Sequence, residues 1–237
     1  MEEEVKVSKI VEDPKISLKQ FSSYCSATLN AKNTILVKSK YPTGYIPKFY
    51  EMARKIVCDT FGANFEDLDL YFDEFNRHMH RLKKEAMPFP TNKDPYKNRT
   101  LSAEGLVALT QMRNQLNPIL KNYVLNSNIT NRKQSVTIEE VKIGAMADML
   151  LYENAGATHV GFVKFNFTKR PMKRIEAEYM LYILRSFYLE KGLELDLNKC
   201  FLVDVFSGTI YLAIAPIFIE EPIHKSCLEI KAKWPLL

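Results

Sequence analysis

Cysteine is scarce. The 237 residues hold four, Cys25, Cys58, Cys200 and Cys227. They lie far apart and form no C-x-x-C pair, so they are read as reduced, mostly buried thiols of a cytosolic protein. No two ligand-type residues have the spacing of a zinc site, and zinc is not expected. No run of about 18 apolar residues exists, so no membrane span is expected. The N-terminal MEEEVKVSK is acidic and lacks an apolar h-region, so no secretory signal is expected either. A cytoplasmic location with no membrane partner follows as the expectation. Internal repeats and low-complexity tracts are also missing.

The composition itself is that of a globular protein, with 46% hydrophobic and 26% charged residues. The length suits one large domain or two small ones, with a core that needs no covalent staples. The net charge of +5 leans toward polyanionic partners.

Residues 1 to 15 are charged and end at Pro14, and are read as loosely attached. Ser17 is placed to cap a helix through Leu18, Phe21, Tyr24 and Cys25. A turn is expected at Lys38 to Pro47, then a helix from Pro47 to Phe61 stopped by Gly62. Asn64 is expected to cap a third helix running through Leu68, Phe72, Phe75, Met79 and Leu82. The first 99 residues thus form a helical region, with a proline-rich linker at Met87 to Arg99. His78 and His80 are two apart on a helix and are read as surface residues. From residue 100 to 237 an α/β (α+β) domain is expected. It opens with a helix from Ser102 to Tyr123. Strands follow at Ser135 to Ile143, Ala147 to Tyr152 and Thr158 to Phe167, the last apolar on both sides except at Lys164 and Asn166. Next come a helix from Pro171 to Glu190 and strands at Cys200 to Val205 and Thr209 to Ala215. The resulting order, α-β-β-β-α-β-β, implies a mixed sheet with helix cover, its third strand central.

Within this order the second strand carries Gly144-Ala145-Met146-Ala147-Asp148, the third carries Phe162-Val163-Lys164, and the next helix carries Glu178-Tyr179-Met180-Leu181-Tyr182. Leu101 to Pro216, about half of the chain, therefore resembles the core of the PD-(D/E)XK (restriction-endonuclease-like) nucleases, their RecB-like branch above all. Those enzymes place G-x-x-D on the second strand, acid-x-Lys on the third and Q-x-x-x-Y on the following helix. The resemblance implies that Asp148, Lys164 and Glu178 are catalytic residues. It also implies that Asp148 holds Mg²⁺ for phosphodiester hydrolysis, with the second carboxylate supplied from elsewhere, by Glu140 on the first strand or by Glu178. Two carboxylates would hold a cation that lowers the pKa of water, and the lysine would orient that water. The chain departs from the pattern in three places. Phe162 stands where the acid of acid-x-Lys belongs, Gly144 to Asp148 is one residue too long, and Glu178 replaces Gln. Lys40-Tyr41-Pro42, the stretch Val160 to Pro171, and Cys200 to Gly208 are also similar to a group of uncharacterised bacterial proteins.

One charge feature is independent of any family. No acid occurs between Glu153 and Glu176, while Lys169, Arg170, Lys173 and Arg174 cluster at the start of a helix. A phosphate there would meet cationic side chains and a helix N-terminus, so these four are the expected nucleic-acid contacts. A second basic run, Arg77 to Arg99, flanks the linker. Plain structural roles stand beside each reading: Asp148 and Lys164 as outward strand residues, Glu178 on a solvated helix face, and the basic clusters as solvated loops or helix ends. The leading functional expectation is a nucleic-acid-acting protein with a nuclease-like core, either a divergent metal-dependent nuclease or an inactive binder. The alternative is a protein-interaction subunit of a bacterial multi-protein system such as anti-phage defence. A purely structural scaffold is the third option.

Overall fold

The strand β6 (Thr158–Asn166) explains most of the architecture, because its side chains alternate between two separate apolar clusters. Phe162 points to one cluster, and Val163, Phe165 and the following Phe167 point to the other. A strand buried on both faces must lie inside a sheet with cover on each side. That is the arrangement found in the computed structural model, which describes residues 10–42, 49–131 and 133–237.

β6 is the middle strand of a five-stranded sheet. Its neighbours are β2 (Val124–Ser127), β5 (Met149–Glu153), β7 (Cys200–Asp204) and β8 (Thr209–Leu212), in the order β2-β5-β6-β7-β8. The pairs β2–β5, β5–β6 and β7–β8 are antiparallel, and β6–β7 is parallel. A parallel pair needs a crossover, and the helix α7 (Arg174–Glu190) supplies it. On one face lie α7, α1 (Leu18–Cys25), α2 (Leu29–Lys40) and α8 (Glu220–Lys233). A second sheet shares this layer: β1 (Lys15–Ile16), β4 (Val141–Gly144) and β3 (Ser135–Ile138), in the order β1-β4-β3. The other face carries α3 (Glu51–Phe61), α4 (Leu68–Ala86), α5 (Asp94–Gln111) and α6 (Arg113–Asn122), packed on Val163, Phe165, Phe167 and Val203. The helices of the first hundred residues thus share a core with the sheet. No helix among the described residues is long and apolar enough to cross a membrane.

Mixed α/β architecture with a central third strand is therefore present, and several local expectations are corrected. Residues 1–9 and 43–48, including half of the expected turn, lie outside the described residues, and Lys38 to Lys40 of that turn belong to α2. Lys15, at the end of the segment read as loose, is held in a strand: it pairs in parallel with Lys142, and the neighbouring Ile16 is buried against Ile143. Asp67, not Asn64, caps α4, its Oδ1 accepting from the Asp69 N–H at 2.9 Å. Asn64 instead adopts a positive φ of 50° and clasps the edge of the sheet, its side chain bonding both the N–H and the C=O of Leu125. Only residues 87–93 of the expected linker lie outside a helix, since Pro95 near the start of α5 provides a favoured helix N-terminus. The expected helix from Ser102 to Tyr123 breaks at Met112, ahead of Pro118. The expected strand at 135–143 is a hairpin, turned at Glu139 and Glu140, both with positive φ. The five-stranded sheet keeps the expected order because β2, which the sequence pattern missed, stands in the place of that strand.

Gly161 permits the parallel junction. A Cβ there would lie 1.9 Å from the Lys199 carbonyl oxygen and 2.7 Å from its carbon, both backbone atoms that cannot swing aside. Gly161→Ala should cost about 2 kcal/mol or more through overpacking, and lower the melting temperature by about 5 °C. Thermal unfolding followed by circular dichroism tests this. An unchanged midpoint would show that β6 and the residues before β7 are not so tightly joined.

Candidate functional site

β5 and β6 pair from Met149↔Val163 outward, and Asp148 stands one residue before that ladder. Its main chain is pinned: the Asp148 N–H donates to the Val163 carbonyl at 3.0 Å, and its carbonyl accepts from the Asn128 N–H at 2.9 Å. Its carboxylate then supplies the missing rung, Oδ2 accepting from the Phe165 N–H at 2.8 Å. Oδ1 lies 3.1 Å from Lys164 Nζ, which also donates to the Met146 carbonyl at 2.9 Å. Asp148 is fully buried and Lys164 is 7% exposed. Burial, the largest cause, lowers the Lys164 pKa from its ordinary value, with Arg54 adding to the effect and Asp148 opposing it. Arg54 Nε is 3.6 Å from Asp148 Oδ1, an ion pair without a hydrogen bond.

Asp148 and Lys164 are thus brought together. The other expected site residues stand elsewhere. Glu178 is on α7, 2.8 Å from Arg174 Nε. Glu140 is exposed at the tip of the β3–β4 hairpin, 2.8 Å from Lys231. Gly144 and Asp148 do not share a strand, because Gly144 ends β4 and Asp148 precedes β5. Phe162, in the place of the missing acid, is fully buried and stacked on Tyr188 at 5.7 Å between centroids.

A Mg²⁺ ion implied by the resemblance does not fit these donors. Both oxygens of Asp148 are engaged, and the charges nearest them are cationic. Mg²⁺ wants an octahedron of oxygens, usually with one or two free carboxylates. Among the described residues no group of three His, Cys, Asp or Glu could hold a metal ion.

Beside the pair the surface opens into a cleft. A cavity of about 340 Å³ is walled by Leu18, Ala145, Phe165 and Met180, with Lys19, Arg54 and Lys164 also on its lining. A wider one of about 700 Å³ adjoins it, sharing Lys19, Tyr50, Arg54 and Thr168 and adding Glu51, Lys169 and Arg170. Lys19 Nζ donates to Thr168 Oγ1. Partial burial lowers its pKa first, then the neighbouring cations Arg54 and Arg170. Two acids nearby are already saturated. Asp204 accepts from Asn166 Nδ2 at 2.7 Å, the Met172 N–H at 2.9 Å and Ser207 Oγ at 2.6 Å. Glu176 accepts from Arg170 at 3.0 and 3.1 Å, from the Lys173 N–H at 3.3 Å and from Ser26 Oγ at 3.2 Å.

Of the four expected phosphate contacts, Lys169 pairs with Glu104 at 2.6 Å, Arg170 with Glu176 and Arg174 with Glu178. Lys169 and Arg170 line the cleft, while Lys173 and Arg174 do not. The run from Arg77 to Arg99 is partly paired, with Glu74 beside Arg77 and Glu85 beside Arg81 and Arg99. His80 is exposed as expected, but His78 is half-buried, and burial lowers its pKa. Sequence reasoning missed Lys19 and Arg54, which come from helices distant in the chain and carry no local signal. Neither a comparison with protein-family models nor one with curated proteins gives a match.

The pair makes a specific energetic demand. Removing the carboxylate with Asp148→Ala leaves a buried ammonium beside Arg54 and should cost about 3–5 kcal/mol at neutral pH. Replacing both charges together, Asp148→Leu with Lys164→Met, should recover most of that loss. In the single variant the folded state binds the Lys164 proton more weakly than the unfolded state does. Its stability relative to wild type should therefore rise with pH toward the ordinary lysine value of 10.5. Urea unfolding of the three proteins at neutral and alkaline pH measures these differences. A single variant as stable as wild type would deny the pair its structural role.

Proposed function

We propose that this protein is a nucleic-acid binder built on a restriction-endonuclease-like core whose acid–lysine pair serves the fold and no longer serves metal-dependent hydrolysis. The order α6-β2-β5-β6-α7-β7-β8 supports the core assignment once the β3–β4 hairpin is treated as an insertion. Its first three strands are antiparallel, and a helix leads into a parallel fourth. The observation that carries the functional reading is the juxtaposition at β6: a carboxylate consumed by Lys164 and the Phe165 N–H, next to a cleft lined by Lys19, Arg54, Lys164, Lys169 and Arg170. Exposed ion pairs such as Lys169–Glu104 are worth about 0–1 kcal/mol, so a phosphate group can displace the carboxylate. Charge-assisted bonds to phosphate from arginine and lysine are stronger.

A second reading, a protein-interaction subunit, is favoured by one other feature. Ile217 and Phe218, just after β8, are 81% and 74% exposed.

Fluorescence anisotropy with labelled DNA and RNA should show affinity that falls steeply with salt. Lys19→Ala and Arg170→Ala should each reduce the magnitude of the salt slope by about one. Incubation with Mg²⁺ or Mn²⁺ should leave the nucleic acid intact. Salt-independent or absent binding would overturn the binding assignment, and metal-dependent cleavage by wild type would overturn the loss of hydrolysis.

A further inference from the structure

The cleft combines two chemistries in adjoining spaces. The inner cavity is walled mainly by apolar groups, Leu18, Ala145, Phe165 and Met180 among them. Its polar lining is largely committed to internal bonds. Asn166 is held by Asp204 and Thr168, and Gln134 by Asn128. The outer space is lined by four cations, Lys19, Arg54, Lys169 and Arg170, against one acid, Glu51, and Lys19 there donates to a neutral hydroxyl instead of a carboxylate. Between the two stands Tyr50, which lines both. Its ring is stacked on Phe167 at 6.1 Å and 16°, and met by Phe206 at 5.6 Å and 65°. Phe206 in turn lies 6.0 Å from Lys169 Nζ. Packed against two other rings and only partly buried, Tyr50 presents an aromatic surface to the cleft.

The complementary ligand is a flat, largely apolar group joined to an anion. A nucleotide has this form only when its base has left the stack. In a duplex the base edges are paired and the faces covered, and extrusion costs unstacking and unpairing. A single strand presents the same base without that cost, and stacking on an aromatic ring accepts any sequence.

Resting on the nucleic-acid reading above, we propose that the cleft takes single-stranded nucleic acid, one base entering beside Tyr50 and the adjoining phosphate meeting Lys19 and Arg54. Lys169 and Arg170 continue the cationic lining and receive the next phosphate. The committed amides of Asn166 and Gln134 leave little capacity to read base edges, so sequence preference is weak.

The test measures the full chain against a labelled 12-nucleotide single strand, the same strand in a duplex, and adenosine monophosphate. The single strand should bind at least tenfold more tightly than the duplex. Tyr50→Ala should weaken single-strand binding by about tenfold while changing duplex binding little. Tyr50→Phe, which keeps the ring and its packing, should bind as wild type does and so separates lost stacking from lost folding. Equal or tighter duplex binding would overturn the single-strand assignment, as would unaltered binding by Tyr50→Ala. Binding of adenosine monophosphate, measured directly by calorimetry, without any binding of the strand would also overturn it, leaving a small-molecule site. If no nucleic acid of any form binds, the functional reading itself fails, an outcome distinct from duplex binding without single-strand preference.

Discussion

A carboxylate sealed from water must find its counter-charge inside the protein, and Asp148 finds it in Lys164. The geometry leaves little slack. One oxygen holds the ammonium, the other completes the hydrogen-bond ladder at Phe165, and the main chain on either side is bound to Val163 and Asn128. Five segments meet through this residue: the end of β2, the connection from β4, the start of β5, the middle of β6 and, through Arg54, the helix α3. The Lys164 ammonium also ties the Met146 carbonyl, so the connection between the two sheets is fixed by the same charge. Buried pairs of this kind seldom outperform a well-packed apolar pair in net stability, but losing one member is costly. The pair therefore constrains the sheet junction more than it strengthens it.

A second set of buried polar groups shapes the cleft. Asp204 at the end of β7 binds Asn166 at the end of β6 and reaches across to the Met172 N–H and to Ser207. Glu176 fixes Arg170 and the N-terminus of α7. Together they hold the segment from Phe167 to Lys173 in one path. Asp204 and Glu176 share their charge with these partners and only partly offset the cations around Lys19. The lowered pKa of Lys19, driven by partial burial and by Arg54 and Arg170, reports the same crowding of cations.

What the sequence made legible follows from the range of the signals. Strand β6 was readable because its residues from Val160 onward alternate between two apolar faces, and the polar residues in that stretch, Lys164 and Asn166, turned out to hold the buried acids Asp148 and Asp204. α7 was readable from its apolar stripe and the proline before it. The hairpin at Glu139 and Glu140 was not, because two non-glycine residues take positive φ there and no turn residue announces it. β2 was hidden for a different reason: Val124–Ser127 is four residues long, and its edge is completed by Asn64, some sixty residues away. Glu140 looked like a strand acid only while the hairpin was unseen. The cations Lys19 and Arg54 look ordinary in the sequence and acquire a role only through tertiary placement.

The identities of Asp148 and Lys164 do not by themselves distinguish a catalytic pair from a structural one, since the same two residues suit both. Their surroundings decide. A metal centre needs surplus negative charge, with carboxylate oxygens turned toward water and at least one further acid beside them. Here the position that would supply that acid is Phe162, buried on Tyr188, and the approach to Asp148 is taken by Arg54. With one carboxylate against an ammonium and a guanidinium, the local balance is positive, and a divalent cation would add to the excess. The charge that such a site attracts is negative. A phosphate approaching this end of β6 meets the field that a metal ion would be repelled by. A phenylalanine where a second acid would stand and an arginine reaching in from α3 are thus enough to make the surroundings of Asp148 unfavourable to a divalent cation.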